Sequence, residues 1–272
     1  MIINGKQIAE EIKDELKLEI KKLTHPPRLD IVYAGTDPII ENFLRIKTNY
    51  GKDIGAETVV YRFDDSISEQ ELSAQIIRIG KAPTSDGIII QLPLPKNIDV
   101  QKILNLVAPE KDIDVLSDAA FELFVKNKIS IVPPVAGAFM EILKRNGISI
   151  KGKKVAIVGR GRLVGKPFKV CMEKAGATII EINTTTGDPT PHLLVADVIA
   201  TGIGKPHFIK PEMIREGAVL LDGGTSEKNG KVVGDADPAC ADKCHIFTPS
   251  PGGIGPITVA LLFRNLIQSI RK

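Results

Sequence analysis

The sequence predicts an α/β protein made of two α/β domains with a ligand cleft between them. Two observations carry this prediction. Short apolar segments alternate with amphipathic ones in both halves of the chain, and a less regular stretch, residues 93–134, separates the halves. Continuous apolar strands joined by helices are typical of parallel sheets covered on both faces. At 272 residues, the chain is long enough for two ordinary domains.

The composition is that of a compact globular protein and excludes disordered and fibrous classes. Hydrophobic residues make up 43% of the chain and charged residues 25%, close to the averages for globular proteins. The net charge is +3 with basic residues spread along the chain, so no nucleic-acid partner is expected. No apolar run approaches the roughly 20 residues needed to span a bilayer. Since the N-terminus also lacks a signal-peptide pattern, we expect a cytoplasmic protein without a membrane partner.

The three cysteines form an odd set, which argues against a disulfide framework. Cys240 and Cys244 lie beside His245, but their spacing matches no zinc pattern and a second ligand pair is missing. We therefore expect no metal site and interpret these cysteines as small buried residues.

The first half begins with apolar residues at helical spacing, which stop at His25-Pro26-Pro27. Ser68 and Glu71 form a capping box, a pattern that marks the start of a later helix. The predicted order is helix 8–23, strand 29–34, a helix opening near Asp37-Pro38, strand 57–63, the capped helix, and strand 87–90.

A helix over residues 136–146, ended by Gly147, is predicted to connect the halves. The elements predicted beyond it are strand 154–158, a helix ending at 175, strands 178–183, 197–201 and 218–222, and a last helix after the loop 248–256. We therefore place one domain at residues 1–133, completed by a C-terminal helix at 252–272, and the other at residues 134–251.

A glycine-rich turn with Gly159, Gly161 and Gly165 directly follows strand 154–158 and opens a helix. Glycines let such a turn close tightly and bring backbone N–H groups up to a diphosphate at the helix N-terminus. The pattern predicts a Rossmann-like dinucleotide-binding domain. The glycine spacing is one residue longer than the commonest fingerprint, so a purely structural turn stays open as an alternative.

The tip of the next strand favours NADP over NAD. An NAD-binding domain places an acid there for the ribose 2′-hydroxyl, but Asn183 and Thr184 occupy the tip, and Glu181 comes two residues early. Arg160, with the hydroxyls of Thr184 and Thr185, offers a site for a 2′-phosphate. The alternative is that Arg160 is only a solvated turn residue.

Candidate chemistry lies in the first half. Phe43 and Lys47 are four residues apart, so they share one face of a helix. Gln91 ends strand 87–90, at the carboxyl edge where open α/β sheets bind ligands. The prolines of Leu92-Pro93-Leu94-Pro95 stiffen the chain beyond it. Taken singly, such a lysine is usually a solvated charge and such a glutamine a cap.

These motifs together resemble the bifunctional methylenetetrahydrofolate dehydrogenase/methenyltetrahydrofolate cyclohydrolase family. The resemblance runs through residues 35–47, 91–95, 109–114, 159–167 and 248–258. It implies oxidation of a methylene bridge on folate, hydrolysis of the methenyl product, and a homodimer. It implies catalytic roles for Lys47, Gln91 and Asp114; folate contacts by Phe43, Leu92, Pro93, Pro251, Gly252 and Gly253; and cofactor contacts by Gly159, Arg160, Gly161, Leu163, Val164, Gly165, Thr184, Thr201, Gly202 and Ile203.

The chain departs from the family pattern at several positions. Phe43 stands where Tyr is usual, which removes a hydroxyl near the hydrolytic site and predicts a weaker cyclohydrolase. Val115 replaces a Gly, and Gly161 replaces a Ser of the cofactor turn. Ile40 stands where a Ser is usual, and the stretch expected to read Pro-Cys-Thr-Pro begins at Pro133 as Pro-Pro-Val-Ala.

The two reactions that the resemblance implies differ in what they need. Hydride removal leaves a cation stabilised by two nitrogens, so it needs alignment with the nicotinamide more than an acid or base. Hydrolysis needs a base, and Lys47 can serve only if its pKa falls toward neutrality. Two alternatives stay open: a two-domain dehydrogenase of shikimate type using Lys47 and Asp114 on a hydroxyl, and a module that senses NADP without turnover.

Overall fold

The computed structural model describes residues 1–228 and 230–271. These residues form two compact units: the first unit comprises residues 11–133 and 259–271, and the second unit comprises residues 1–10 and 134–258. Numbered in chain order, the helices and strands are α1 Gly5–Ile20, β1 Arg28–Ala34, α2 Pro38–Ile54, β2 Glu57–Phe63, α3 Glu69–Lys81, β3 Gly87–Ile90, α4 Val100–Leu104, α5 Asp118–Val125, α6 Pro134–Arg145, β4 Lys154–Val158, α7 Gly165–Lys174, β5 Thr178–Ile182, α8 Thr190–Leu194, β6 Val198–Thr201, β7 Val219–Asp222, β8 Ser226–Lys228, β9 Lys231–Val233, β10 Ile246–Phe247 and α9 Ile254–Ile270.

The first unit is built on a parallel sheet with strand order β2-β1-β3. All residues of β1 after Arg28 are buried, as expected for the central strand of a covered sheet. Helix α2 begins where the Asp37 carboxylate accepts the Ile39 N–H, with Pro38 in the first turn, and ends at Gly55 with φ +87°. The carboxyl ends of β1 and β3 lie at the same edge, where the candidate site is found.

The second unit is built on a five-stranded parallel sheet with strand order β10-β7-β6-β4-β5. On one side of it, Phe139 of α6 and Phe168 of α7 are both fully buried and meet edge to face, with ring centroids 5.0 Å apart. A small antiparallel pair, β8 and β9, lies outside this sheet. Both units confirm the predicted α/β class and its parallel sheets.

The unit boundaries differ from the domains expected from the sequence, because residues 1–10 and 252–258 belong to the second unit. The first residues of the chain are held there by backbone hydrogen bonds: the Ile3 N–H donates to the Phe247 carbonyl, and the Phe247 N–H donates to the Met1 carbonyl, both at 2.9 Å. This is strand pairing between segments almost 250 residues apart, and the apolar pattern of the N-terminus does not reveal it.

The sequence prediction was wrong in detail at several short elements. The stretch expected to be irregular contains α4 and α5, which are capped by the side chains of Asp99 and Ser117. Helix α1 ends at Ile20, three residues before the predicted end. The hairpin β8–β9, the strand β10 and the helix α8 were not predicted. Among the described residues, none of the helices combines the length and apolar character needed to cross a bilayer.

Asn265 on α9 fastens two loop segments of the first unit. Its side chain is buried, and its Nδ2 donates to the carbonyls of Ile113 at 2.9 Å and Val132 at 2.7 Å. Because Asn265→Ala removes the donor from both carbonyls, we expect it to lower the free energy of unfolding by about 2–3 kcal/mol in urea titrations. Gln268→Ala, on the same helix, should change it by less than about 0.5 kcal/mol. Equal losses in the two variants would show that Asn265 contributes nothing specific.

Candidate active site

Helix α2 presents Phe43 and Lys47 on one half-buried face, as the sequence predicts. The start of this helix is fixed, because the Tyr33 hydroxyl accepts the Asp37 N–H at 2.7 Å. Tyr33 is itself fully buried in the core of the first unit. The two side chains are therefore carried by a helix whose N-terminus is anchored to the central strand.

Gln91 holds the amine of Lys47. Its backbone N–H donates to the Val32 carbonyl at 2.8 Å, which continues the β3–β1 pairing by one residue. Its side-chain Oε1 accepts a hydrogen bond from Lys47 Nζ at 2.6 Å, and its Nε2 donates to the Leu92 carbonyl at 2.8 Å. The second bond orients the amide so that its oxygen faces the lysine.

The charges at this site act on one another. Burial lowers the pKa of Lys47 from its ordinary value, and the Asp114 carboxylate opposes part of that shift. Burial raises the pKa of Asp114 to about 6, while Lys47 lowers it and Asp112 raises it further. The structure thus brings together Lys47, Gln91 and Asp114 as a polar group in which both ionisable side chains have pKa values displaced toward neutrality.

In the second unit, the glycine turn is closed by direct contact. A Cβ at Gly165 would lie 1.9 Å from the Gly159 carbonyl oxygen, and a Cβ at Gly159, where φ is +98°, would lie 2.5 Å from Ile203 Cγ2. A Cβ at Gly202 would lie 2.5 Å from Val164 Cγ2. The turn and the segment after β6 therefore pack tightly at the carboxyl edge of the sheet, at the start of α7.

The segment after β6 is held by Asp235, a fully buried residue that sequence reasoning missed. Its carboxylate accepts hydrogen bonds from the Thr201 hydroxyl at 2.8 Å, the Ile203 N–H at 2.7 Å and the Lys205 N–H at 2.8 Å. The neighbouring Asp222, at the end of β7, is also buried, and burial raises its pKa to about 6. A signal existed, because both acids occur within apolar or glycine-rich stretches where a charge must find partners.

The loop with Pro251, Gly252 and Gly253 is fixed by the N-terminus within the second unit. The Gly5 N–H donates to the Gly252 carbonyl at 3.0 Å, and Gly252 has φ +101°. A Cβ at Gly5 would lie 1.7 Å from the Gly253 carbonyl oxygen, so only glycine fits there. The Gly253 N–H donates to the Pro249 carbonyl at 2.8 Å, which closes the loop.

Models of the two domains of one family match nearly the whole chain. The model described as tetrahydrofolate dehydrogenase/cyclohydrolase, catalytic domain, matches residues 3–114, which contain Lys47, Gln91 and Asp114. The model of the NAD(P)-binding domain of the same family matches residues 115–272, which contain the glycine turn. This chain belongs to the tetrahydrofolate dehydrogenase/cyclohydrolase family.

Relatives of similar length support this membership. The bifunctional protein FolD of Nitratiruptor sp. is 35% identical, with 100% of this chain and 98% of the relative covered. The crystal structure of FolD methylenetetrahydrofolate dehydrogenase/cyclohydrolase from Campylobacter jejuni has a TM-score of 0.95 at 29% identity, covering 100% and 98% of the two chains. The Trypanosoma brucei FolD, complexed with NADP cofactor and inhibitor, has a TM-score of 0.94 at 27% identity, covering 100% and 97%.

Family membership confirms the resemblance predicted from the motifs and favours a tetrahydrofolate dehydrogenase/cyclohydrolase over a shikimate-type enzyme. The roles expected of the individual residues stay predictions. Arg160 lies in the glycine turn with an exposed side chain, and its Nε lies 3.0 Å from a carboxylate oxygen of Glu181. Thr184 is exposed, in a turn where the Asn183 N–H donates to the Thr186 hydroxyl at 2.9 Å.

Two of the three cysteines, Cys240 and Cys244, belong to the hydrophobic core of the second unit. Cys240 and Cys244 are buried, as predicted, and burial raises the pKa of their thiols to about 12 and about 11. Among the described residues, no group of three His, Cys, Asp or Glu side chains is placed to hold a metal ion.

The close approach of Gly165 to Gly159 predicts that a side chain at position 165 lowers the stability of the protein. Gly165→Ala should lower the free energy of unfolding by about 2–4 kcal/mol, because the added methyl meets backbone that cannot turn away. Gly161→Ala is the matched control: its Cβ would meet no atom of the described residues within 4 Å, so we expect a change below about 0.5 kcal/mol. Urea unfolding followed by circular dichroism measures both, and a neutral Gly165→Ala would refute the closed turn.

Proposed function

We propose that this chain oxidises 5,10-methylenetetrahydrofolate to 5,10-methenyltetrahydrofolate with NADP and hydrolyses the product to 10-formyltetrahydrofolate. The observation that carries the proposal is the match of both family domain models, which together span residues 3–272. NADP is supported by the Trypanosoma brucei relative, whose structure contains it. Steady-state rates with each dinucleotide, together with the rate of methenyl hydrolysis, test the proposal directly.

The second unit has the features that a dinucleotide needs. Gly161 borders open space, and α7 begins four residues later, so its N-terminus and the turn can receive a diphosphate. When bound, NADP supplies the acceptor for the hydride. We assign the cofactor contacts to Gly159, Arg160, Gly161, Leu163, Val164, Gly165, Thr184, Thr201, Gly202 and Ile203. The part of this chain in that reaction is to hold and align the reactants.

For hydrolysis, we assign Lys47 as the base. A water oxygen bonds to the methenyl carbon, the C=N π electrons pass to a folate nitrogen, and the water proton passes to Lys47 Nζ, which requires the neutral amine. The bond from that carbon to N5 then breaks as the hydroxyl proton transfers to N5, which leaves the formyl group on N10. Burial favours that neutral form, and the Gln91 oxygen holds the amine in place through the 2.6 Å bond. We assign Asp114 to the pterin ring, where its carboxyl group also adjusts the charge on Lys47.

The remaining assignments are proposals of the same kind. Phe43 stacks on folate, and Leu92, Pro93, Pro251, Gly252 and Gly253 contact it. We assign a folate domain to residues 1–133 and 252–272 and an NADP domain to residues 134–251. We further propose a homodimer in the cytoplasm that binds neither nucleic acid nor membrane. All three cysteines are free, as in proteins of reducing compartments. Light scattering on the purified protein tests the dimer.

Substitution of Lys47 should slow hydrolysis much more than hydride transfer. We expect Lys47→Met to slow methenyl hydrolysis by at least about 100-fold, the contribution typical of a positioned base. The hydride step should fall by a smaller factor, because it needs no base from the protein. Lys52→Met, an exposed lysine of the same helix, serves as the control and should leave both rates near wild type. Hydrolysis at the wild-type rate in Lys47→Met would remove this lysine from the mechanism.

The charge on Asp114 predicts a pH effect of defined sign. Its carboxylate raises the pKa of Lys47, so Asp114→Asn should lower that pKa further. Because the neutral amine is the active form, the rising limb of kcat for hydrolysis should then move to lower pH. The measurement is the pH profile of kcat from pH 6 to 9 at saturating substrate. A limb that stays in place or moves to higher pH would contradict the coupling.

A further inference from the structure

Glu181 lies near the tip of β5, the region where the sequence predicts the ribose of a dinucleotide. It is the last residue but one of β5, the strand that pairs with β4 and follows the helix after the glycine turn. Its side chain points to that helix and turn, since one carboxylate oxygen lies 2.5 Å from Lys169 Nζ and the other 3.0 Å from Arg160 Nε. The sequence alone does not reveal this direction.

The three side chains form a charged cluster that solvent can reach. The Arg160 side chain is 64% exposed, and those of Lys169 and Glu181 are 35% and 28% exposed. Lys169, and then Arg160, hold the pKa of the Glu181 carboxyl below its ordinary value, so it is ionised at neutral pH. These three side chains carry two positive charges and one negative charge, and the Glu173 carboxylate lies 3.7 Å from Lys169 Nζ at the edge of the cluster.

This cluster contains both an acid and an arginine, whereas a dinucleotide-binding domain normally has one or the other near the ribose. An acid near the tip of the second strand suits the ribose 2′-hydroxyl of NAD, whereas an arginine there accommodates the 2′-phosphate of NADP. Here the Glu181 carboxylate pairs with Arg160 and Lys169, the two cations that would otherwise bind a 2′-phosphate. Its negative charge also repels that phosphate. Because an exposed ion pair contributes little to stability, Arg160 can exchange Glu181 for a stronger bidentate partner.

We propose that Glu181 is a specificity-determining residue that weakens the preference of this protein for NADP over NAD by competing for Arg160 and Lys169. The inference rests on the proposed function only in that the second unit must bind a dinucleotide. It goes beyond that function because it concerns how strongly the site distinguishes two ligands that differ by one phosphate.

The experiment is isothermal titration of the folded protein with NADP and with NAD, without folate. Glu181→Gln keeps the size of the side chain and removes its charge. We expect it to raise the ratio of the NAD and NADP dissociation constants by about tenfold, mainly through tighter NADP binding. Glu181→Ala should shift the ratio in the same direction. Testing both variants shows that the shift does not come from misfolding of one of them.

Glu173→Gln is the matched control. Glu173 lies on α7, one turn after Lys169, and its carboxylate is 3.7 Å from Lys169 Nζ. The variant therefore removes one negative charge near Lys169, as Glu181→Gln does. It should leave the ratio within about twofold of wild type. The proposal is overturned if Glu181→Gln also stays within that range, or if Glu173→Gln shifts the ratio equally. Failure of the wild type to bind either dinucleotide would instead overturn the proposed function.

Discussion

The hydrogen bond from Lys47 to Gln91 is the interaction on which the proposed chemistry of the first unit depends. An amine taken partly out of water loses hydration, and a carboxylate partner in direct contact would restore its charge. A neutral amide oxygen at 2.6 Å holds the amine without doing so. The pKa of Lys47 can then fall, while Asp114 adjusts it by charge alone. A lysine suited to accept a proton therefore needs its neutral partner as much as its burial.

In the second unit, the buried carboxyl group of Asp235 fixes the segment after β6. Asp235 is fully buried, but its carboxyl oxygens accept hydrogen bonds from three donors of one short segment, so these oxygens are satisfied and the segment is fixed at three points. The contacts of Gly159 and Gly202 with Ile203 and Val164 then press the glycine turn against that segment. Tight backbone packing and a buried carboxylate together give a rigid edge to the sheet, which preorganises it for a ligand.

The sequence predicted the parts of this fold that have a long-range pattern. The apolar runs of β1 and β4 predicted parallel sheets, and the spacing of Phe43 and Lys47 predicted their shared face. Helices α4 and α5 were missed because five and eight residues are too few to show a helical period. Pairing of the N-terminus with β10, the direction of Glu181 and the partners of Asp235 depend on tertiary contacts, which residue patterns do not encode locally.

Val115 shows how burial of a side chain allows a residue other than glycine to adopt a positive φ. It follows Asp114 with φ +58°, a conformation that costs an L-residue about 1–2 kcal/mol. Its side chain is 2% exposed, and burying a valine contributes about 1.5–3 kcal/mol, which offsets the strain. The turn is also fixed from outside, because the Asp112 carboxylate accepts the N–H groups of Leu116 and Ser117 at 3.1 and 2.7 Å. The position of Asp114 is thus set by the Asp112 turn, and a glycine beside it is not required.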